Sequence, residues 1–197
     1  MTGSIIMNEF NDLPENHSSE GAGKGSAGKE HHVLIPNFHF KRLGRELAMQ
    51  FLFQCDLAGT DDLAASMENF WNQAEQSGAF PDKRIFRKAR SYSEKIIAGV
   101  CEHEAEIDDV IRRVSAKWDI SRMSAVDRNI IRVAIFELYH CPDSPALVSI
   151  NEAIEIAKDF SSEKSGNFIN GLLNTVKDEL PPQAKPVNER SSRRTEN

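Results

Sequence analysis

Residues 124–176, SAVDRNIIRVAIFELYHCPDSPALVSINEAIEIAKDFSSEKSGNFINGLLNTV, decide the fold class. Ser124 is followed three positions later by Asp127, a variant capping box in which each side chain can satisfy an orphan backbone donor. The apolar residues Val126, Ile130, Val133/Ala134 and Leu138 then recur every three or four positions, the period of a helix with one buried face. Pro142 lies just beyond its end. A fuller box, Ser149 with Glu152, predicts the start of a second helix that buries Ile150, Ile154 and Ala157. A third carries Phe168, Leu172, Val176 and Leu180, and Pro181-Pro182 stops it.

The same period extends upstream. Leu43, Leu47 and Phe51 mark a helix over about 41–58 that Gly59 can close. Another is expected over about 61–77, begun by Thr60 and ended by Gly78. After Pro81 the stripe is Ile85, Ala89, Tyr92, Ile96 and Val100, and a further helix carries Ile107, Ile111, Val114 and Trp118. No hairpin signal interrupts the series. Seven amphipathic helices on short connections predict an all-α bundle.

The flanks read differently. Residues 1–38 hold five of the eleven glycines and the run GAGKGSAGKE without a sustained apolar period, so residues 1–40 are expected to be a disordered extension. Residues 181–197 form a polar tail with Arg190, Arg193 and Arg194, also expected to be disordered. The folded unit is thus 41–180. Cys55, Cys101 and Cys141 are odd in number and widely spaced, which fits a reducing compartment rather than a disulfide framework. The start MTGSIIMNEF has neither the basic residues nor the apolar run of a signal peptide, and no stretch approaches the ~18 apolar residues of a membrane span. A cytoplasmic protein without a membrane partner is expected.

Several residue groups could carry chemistry, and each also has a simpler role. Gly23 to Lys29 spells the G-x4-G-K part of a phosphate-binding loop, but Glu30 stands where the magnesium-ligating Ser or Thr belongs. His17, His31, His32 and His39 lack acid or cysteine partners at ligand spacing. His140-Cys141 and Cys101-x-His103 fall on apolar-striped helices, where small buried cysteines are the commoner case. Neither a catalytic constellation, a cofactor nor a metal is expected, so the chain reads as a binding protein and not an enzyme.

A net charge of −6 means that the molecule as a whole repels nucleic acid, so any RNA contact needs a local basic patch. Lys41, Arg42 and Arg45 open the first helix, where cations oppose the macrodipole unless a ligand such as a phosphate backbone neutralises them. Lys83, Arg84, Arg87 and Lys88 begin the helix that follows Pro81; they could extend an RNA track but read first as a solvated face paired with nearby acids. Phe53 is either core or a platform for an unpaired base. Glu102, Glu104, Glu106, Asp108 and Asp109 suit the start of the fourth helix and would also attract a basic protein partner.

From residue 124 onward the sequence resembles the NusB family of antitermination factors. The resemblance rests on Asp127, on Glu137-Leu138, and on Pro145 before Ser149-Ile150-Asn151-Glu152-Ala153. It continues through Ala157-Lys158 and Phe168-Ile169-Asn170-Gly171, and KRLGRELAMQFLFQCDLAG is similar to the family's N-terminal helix. It implies two packed helical subdomains and no catalysis. It also implies binding of a single-stranded boxA-type element of ribosomal RNA transcripts, with the small-subunit ribosomal protein NusE, in a complex on RNA polymerase. Carried over by position, Lys41, Arg42 and Arg45 keep the charge of the family's arginine-rich start, while Leu43 does not. Phe53 stands where an aromatic is familiar, and Asp143 lies in a loop, Asp143-Ser144-Pro145, that the resemblance puts near RNA and partner. A helical adaptor without RNA binding remains an alternative. An accessory domain of an RNA methyltransferase would need a downstream glycine-rich cofactor domain. Self-association into a homodimer that hides the RNA face is also open on the sequence.

Overall fold

A computed structural model of the chain describes residues 38–59, 62–115, 120–162 and 164–180. Seven α-helices occupy them: α1 (Phe38–Ala58), α2 (Leu63–Gln76), α3 (Lys83–Glu102), α4 (Glu104–Val114), α5 (Ala125–His140), α6 (Ala146–Phe160) and α7 (Ser165–Glu179). A short 3-10 turn, Ile120–Arg122, precedes α5. No strand occurs among the described residues. The phosphate-loop lookalike, Thr60, Trp118, the tail 181–197 and nearly all of the expected extension 1–40 lie outside them.

The local signals are mostly where the sequence placed them. Ser124 Oγ accepts from the Asp127 amide at 3.0 Å, and Gly59 and Gly78 follow α1 and α2 with φ near +70°. Asp82, one residue past Pro81, caps α3 by accepting from the Arg84 and Ile85 amides, both at 2.9 Å.

Four expectations need correction. The cap of α2 is Asp62, whose carboxylate accepts from the Ala65 amide at 3.0 Å. Helix α1 starts at Phe38 and not near 41, because the Phe40 ring packs edge-on against Tyr92 at 6.3 Å and anchors an extra turn. Helix α6 starts at Ala146, directly after Pro145. Ser149 is therefore inside it, buried, with its hydroxyl 3.2 Å from that of Ser144 rather than capping. The box at α5 is only half used as expected, since the Asp127 carboxylate accepts from the Ser161 and Ser165 hydroxyls at 2.7 and 3.1 Å. It fastens the start of α5 to the α6–α7 turn.

The chain divides into two units, residues 1–97 and 98–197, so α3 contributes to both. In the first, an aromatic cluster links the helices: Phe51 meets Phe70, Phe70 meets Trp71, and Trp71 meets Phe86, at centroid distances of 5.4, 4.9 and 6.3 Å. Gly44 of α1 is buried against α3, where an added Cβ would lie 2.9 Å from the Ala89 carbonyl oxygen and from Tyr92 Cδ1. The second unit is organised around α5, which packs against α4, α6 and α7. Its residues Asn129–Leu138 are all buried, so α5 is a central helix and not the one-sided one that its stripe suggested. The charge this buries at Arg132 is met by a bidentate Asp108, 2.8 Å to each oxygen, and by Glu104 at 3.0 Å.

Candidate nucleic-acid interface

Because α1 begins at Phe38, Arg42 and Arg45 lie in its second turn, where the dipole field has faded. Local contacts hold them instead. Arg42 pairs with Glu46 one turn on. Arg45 is 2% exposed, its guanidinium carbon 5.6 Å from the centre of the Tyr92 ring and its nitrogen 3.5 Å from the Tyr92 hydroxyl. Lys41 Nζ lies 5.5 Å from the same ring centre. Tyr92, read from the sequence as a stripe residue, is thus the platform under the α1 cations, and the close approach allowed by Gly44 brings it there.

Helix α3 supplies the other side. Arg84, Arg87, Lys88, Ser91, Tyr92 and Lys95 recur at helical spacing and, with Phe40 of α1, line a cleft of about 650 Å³. Lys88 Nζ is 5.5 Å from the centre of the Phe40 ring. Arg84, Arg87, Lys88 and Lys95 are exposed. Glu75 and Glu94 are both engaged by Arg90, at 3.0 and 2.9 Å. Arg84, Arg87 and Lys88 of the second basic cluster, though not Lys83, thus stand on the rim of a cleft with two aromatic rings in its wall. Phe40, Ser91 and Lys95 were not singled out from the sequence, because their place beside the cations depends on how α1 crosses α3.

The remaining candidates are dispersed. Phe53 is half-buried on α1. Asp143 is exposed in the turn between α5 and α6, which the Ser144 amide closes onto the Cys141 carbonyl at 2.9 Å, and it belongs to the second unit. The acidic run is largely engaged within that unit. Asp108 and Glu104 hold Arg132, Asp109 pairs with Arg112, and Glu106 lies 3.1 Å from His103, while Glu102 is exposed.

The NusB family model matches residues 42–178. The chain belongs to the NusB family. Relatives include the transcription antitermination protein NusB of Myxococcus xanthus, 44% identical over 137 residues that make up 69% of this chain and 93% of that protein. The Bacillus cereus protein of the same name is 39% identical, covering 71% and 98%. Among solved structures, T. maritima NusB is similar with a TM-score of 0.61 and 36% identity, covering 72% of this chain and 93% of that one. A complex of the antitermination factors NusB and NusE with double-stranded RNA contains a chain of the same fold, with a TM-score of 0.59 and 24% identity over 72% and 98%. Family membership makes this chain a NusB-type transcription antitermination factor. No described helix is long and apolar enough to cross a membrane.

Proposed function

We propose that this NusB-family chain acts by binding and not by catalysis. It takes a single-stranded boxA-type element of ribosomal RNA transcripts into the cleft between α1 and α3, together with NusE, in the cytoplasmic complex on RNA polymerase. The observation that carries this reading is the cleft itself, a cationic rim of Arg84, Arg87, Lys88 and Lys95 beside the rings of Phe40 and Tyr92. Single strands are held by this combination, in which cations follow the phosphates and rings accept unpaired bases. It also reconciles RNA binding with a net charge of −6, since the positive field is local.

Within this reading the α1 cations divide their work. Lys41 reaches the RNA, whereas Arg45, buried on Tyr92, sets the shape of the cleft wall. Phe53 and Asp143 remain contact candidates on the resemblance alone, and the α4 acids serve the fold more than a basic partner.

Fluorescence anisotropy of a labelled boxA-type RNA, titrated with the protein alone and with NusE, tests the proposal. Arg42→Ala/Arg45→Ala and Arg84→Ala/Lys88→Ala run alongside. Both double variants are expected to weaken binding, and NusE to tighten it. Each lost phosphate contact on a single strand lowers the log–log salt slope by about 0.7, so the α3 double variant should flatten it by about 1.4. The engagement of Arg42 and Arg45 inside the protein favours a second reading, an adaptor that binds NusE without RNA. Intact NusE binding with no RNA affinity in either condition would select it.

A further inference from the structure

We infer that His103, Glu106 and His140 form a binding site for a divalent transition-metal ion of the zinc class. One ligand atom from each of the three lies within 4.8 Å of the others. His103 Nδ1 is 3.1 Å and His140 Nε2 is 3.8 Å from the same oxygen, Glu106 Oε2. Two ligands bonded to a tetrahedral zinc ion at about 2.1 Å stand about 3.4 Å apart, so these separations bracket the spacing that a shared ion imposes.

The backbone explains why the donors meet. His103 sits at the junction of α3 and α4, Glu106 follows one helical turn later, and His140 is the last residue of α5, which packs against α4. The imidazoles stack at 3.9 Å between centroids, and the Phe136 ring lies 5.3 Å from that of His140.

The donor chemistry calls for a cation. Three electron-pair donors converge, and one proton on His103 Nδ1 satisfies only its contact with Glu106. His140 Nε2 is buried and has no hydrogen-bond partner, an orphaned ring nitrogen facing a carboxylate. An ion bonded to all three removes that defect. Two imidazole nitrogens and one carboxylate oxygen suit zinc, nickel, cobalt or copper(II), whereas magnesium and calcium prefer oxygen alone. The rings swing from their near-parallel stack toward a common point on ligation. Glu106 is half-exposed, which leaves room for water as the fourth ligand. The bound ion ties the α3–α4 corner to the end of α5, so occupancy stabilises the folded state.

The test uses the full chain with Zn2+ and Co2+ as probes. Four other histidines, His17, His31, His32 and His39, provide a competing background, so His31→Ala/His32→Ala/His39→Ala is the control. In the wild type and in this control, Zn2+ should raise Tm and Co2+ should give the intense visible absorption of a tetrahedral site. His140→Ala and His103→Ala should each weaken Zn2+ binding by at least about tenfold, since even outer-shell partners are worth that much. Glu106→Gln, at an exposed position, tests the site if the histidine variants do not fold. The inference is overturned if Zn2+ stabilisation survives in Glu106→Gln and His140→Ala, if it disappears in the N-terminal control, or if wild type binds no Zn2+ at neutral pH up to about 1 mM.

Discussion

Replacing Gly99 by alanine should destabilise the protein, although alanine is the better helix former. Gly99 lies in α3 and is buried, and a Cβ built there falls 2.1 Å from both Cε2 and Cζ of Phe136. Ordinary contact begins at 3.4 Å, so the ring must retreat by about 1.3 Å. It has little room, being 5% exposed and stacked on His140. Overpacking of a filled core costs about 1–3 kcal/mol, and a clash with two ring atoms belongs at the upper end. Exchanging glycine for alanine within a helix returns about 1 kcal/mol, leaving a net loss of about 2 kcal/mol. Gly171 in α7 is the matched control, because it is exposed and its added Cβ meets nothing within 4 Å. There the same substitution should gain about 0.5–1 kcal/mol. Urea unfolding followed by far-UV circular dichroism would read both. Adding Phe136→Leu to the Gly99→Ala protein should restore at least about 1 kcal/mol beyond the sum of the single effects. A Gly99→Ala protein as stable as the wild type would refute the reasoning, as would equal effects at the two glycines.

Other outcomes follow from the same geometry. Asp108→Ala removes the bidentate partner of Arg132, which is 6% exposed, and should cost about 3 kcal/mol, at the low end for a broken buried pair because Glu104 remains; the denaturant midpoint checks it. Asp127→Ala releases the Ser161 and Ser165 hydroxyls and a favourable charge at the start of α5, a loss of about 2 kcal/mol, with faster amide hydrogen exchange at the α6–α7 turn. Arg45→Ala should lower both Tm and RNA affinity, since Arg45 packs over the Tyr92 ring, whereas Lys88→Ala at the exposed rim should lower RNA affinity with Tm unchanged. Parallel thermal melts and anisotropy titrations separate the two, and an Arg45→Ala protein with unaltered Tm would remove the positioning role given to that residue.

How much of this was legible in the sequence depends on how local the physics is. Helix number and most helix ends were readable, because the 3.6-residue period, Ser124, Gly59, Gly78 and the prolines act within a turn or two of chain. Family membership was readable because it is carried by the order of short matches, of which Asp127 and Phe168 to Gly171 are examples. Where a side chain had two uses open to it, sequence could not choose. Ser149 and Glu152 spell a box, yet Pro145 had already started the helix. The stripe of α5 suggested one buried face, yet three neighbouring helices cover it all round. The α1 and α3 cations were two separate clusters until Gly44 let the helices close and set Phe40 and Tyr92 between them. His103 and His140 are far apart in the chain and share no spacing rule, so only the docking of α4 on α5 brings both rings to Glu106. Local backbone preferences are written in neighbouring residues. Pairings between distant side chains are decided by how whole helices pack, and that is where the cleft and the histidine site arise.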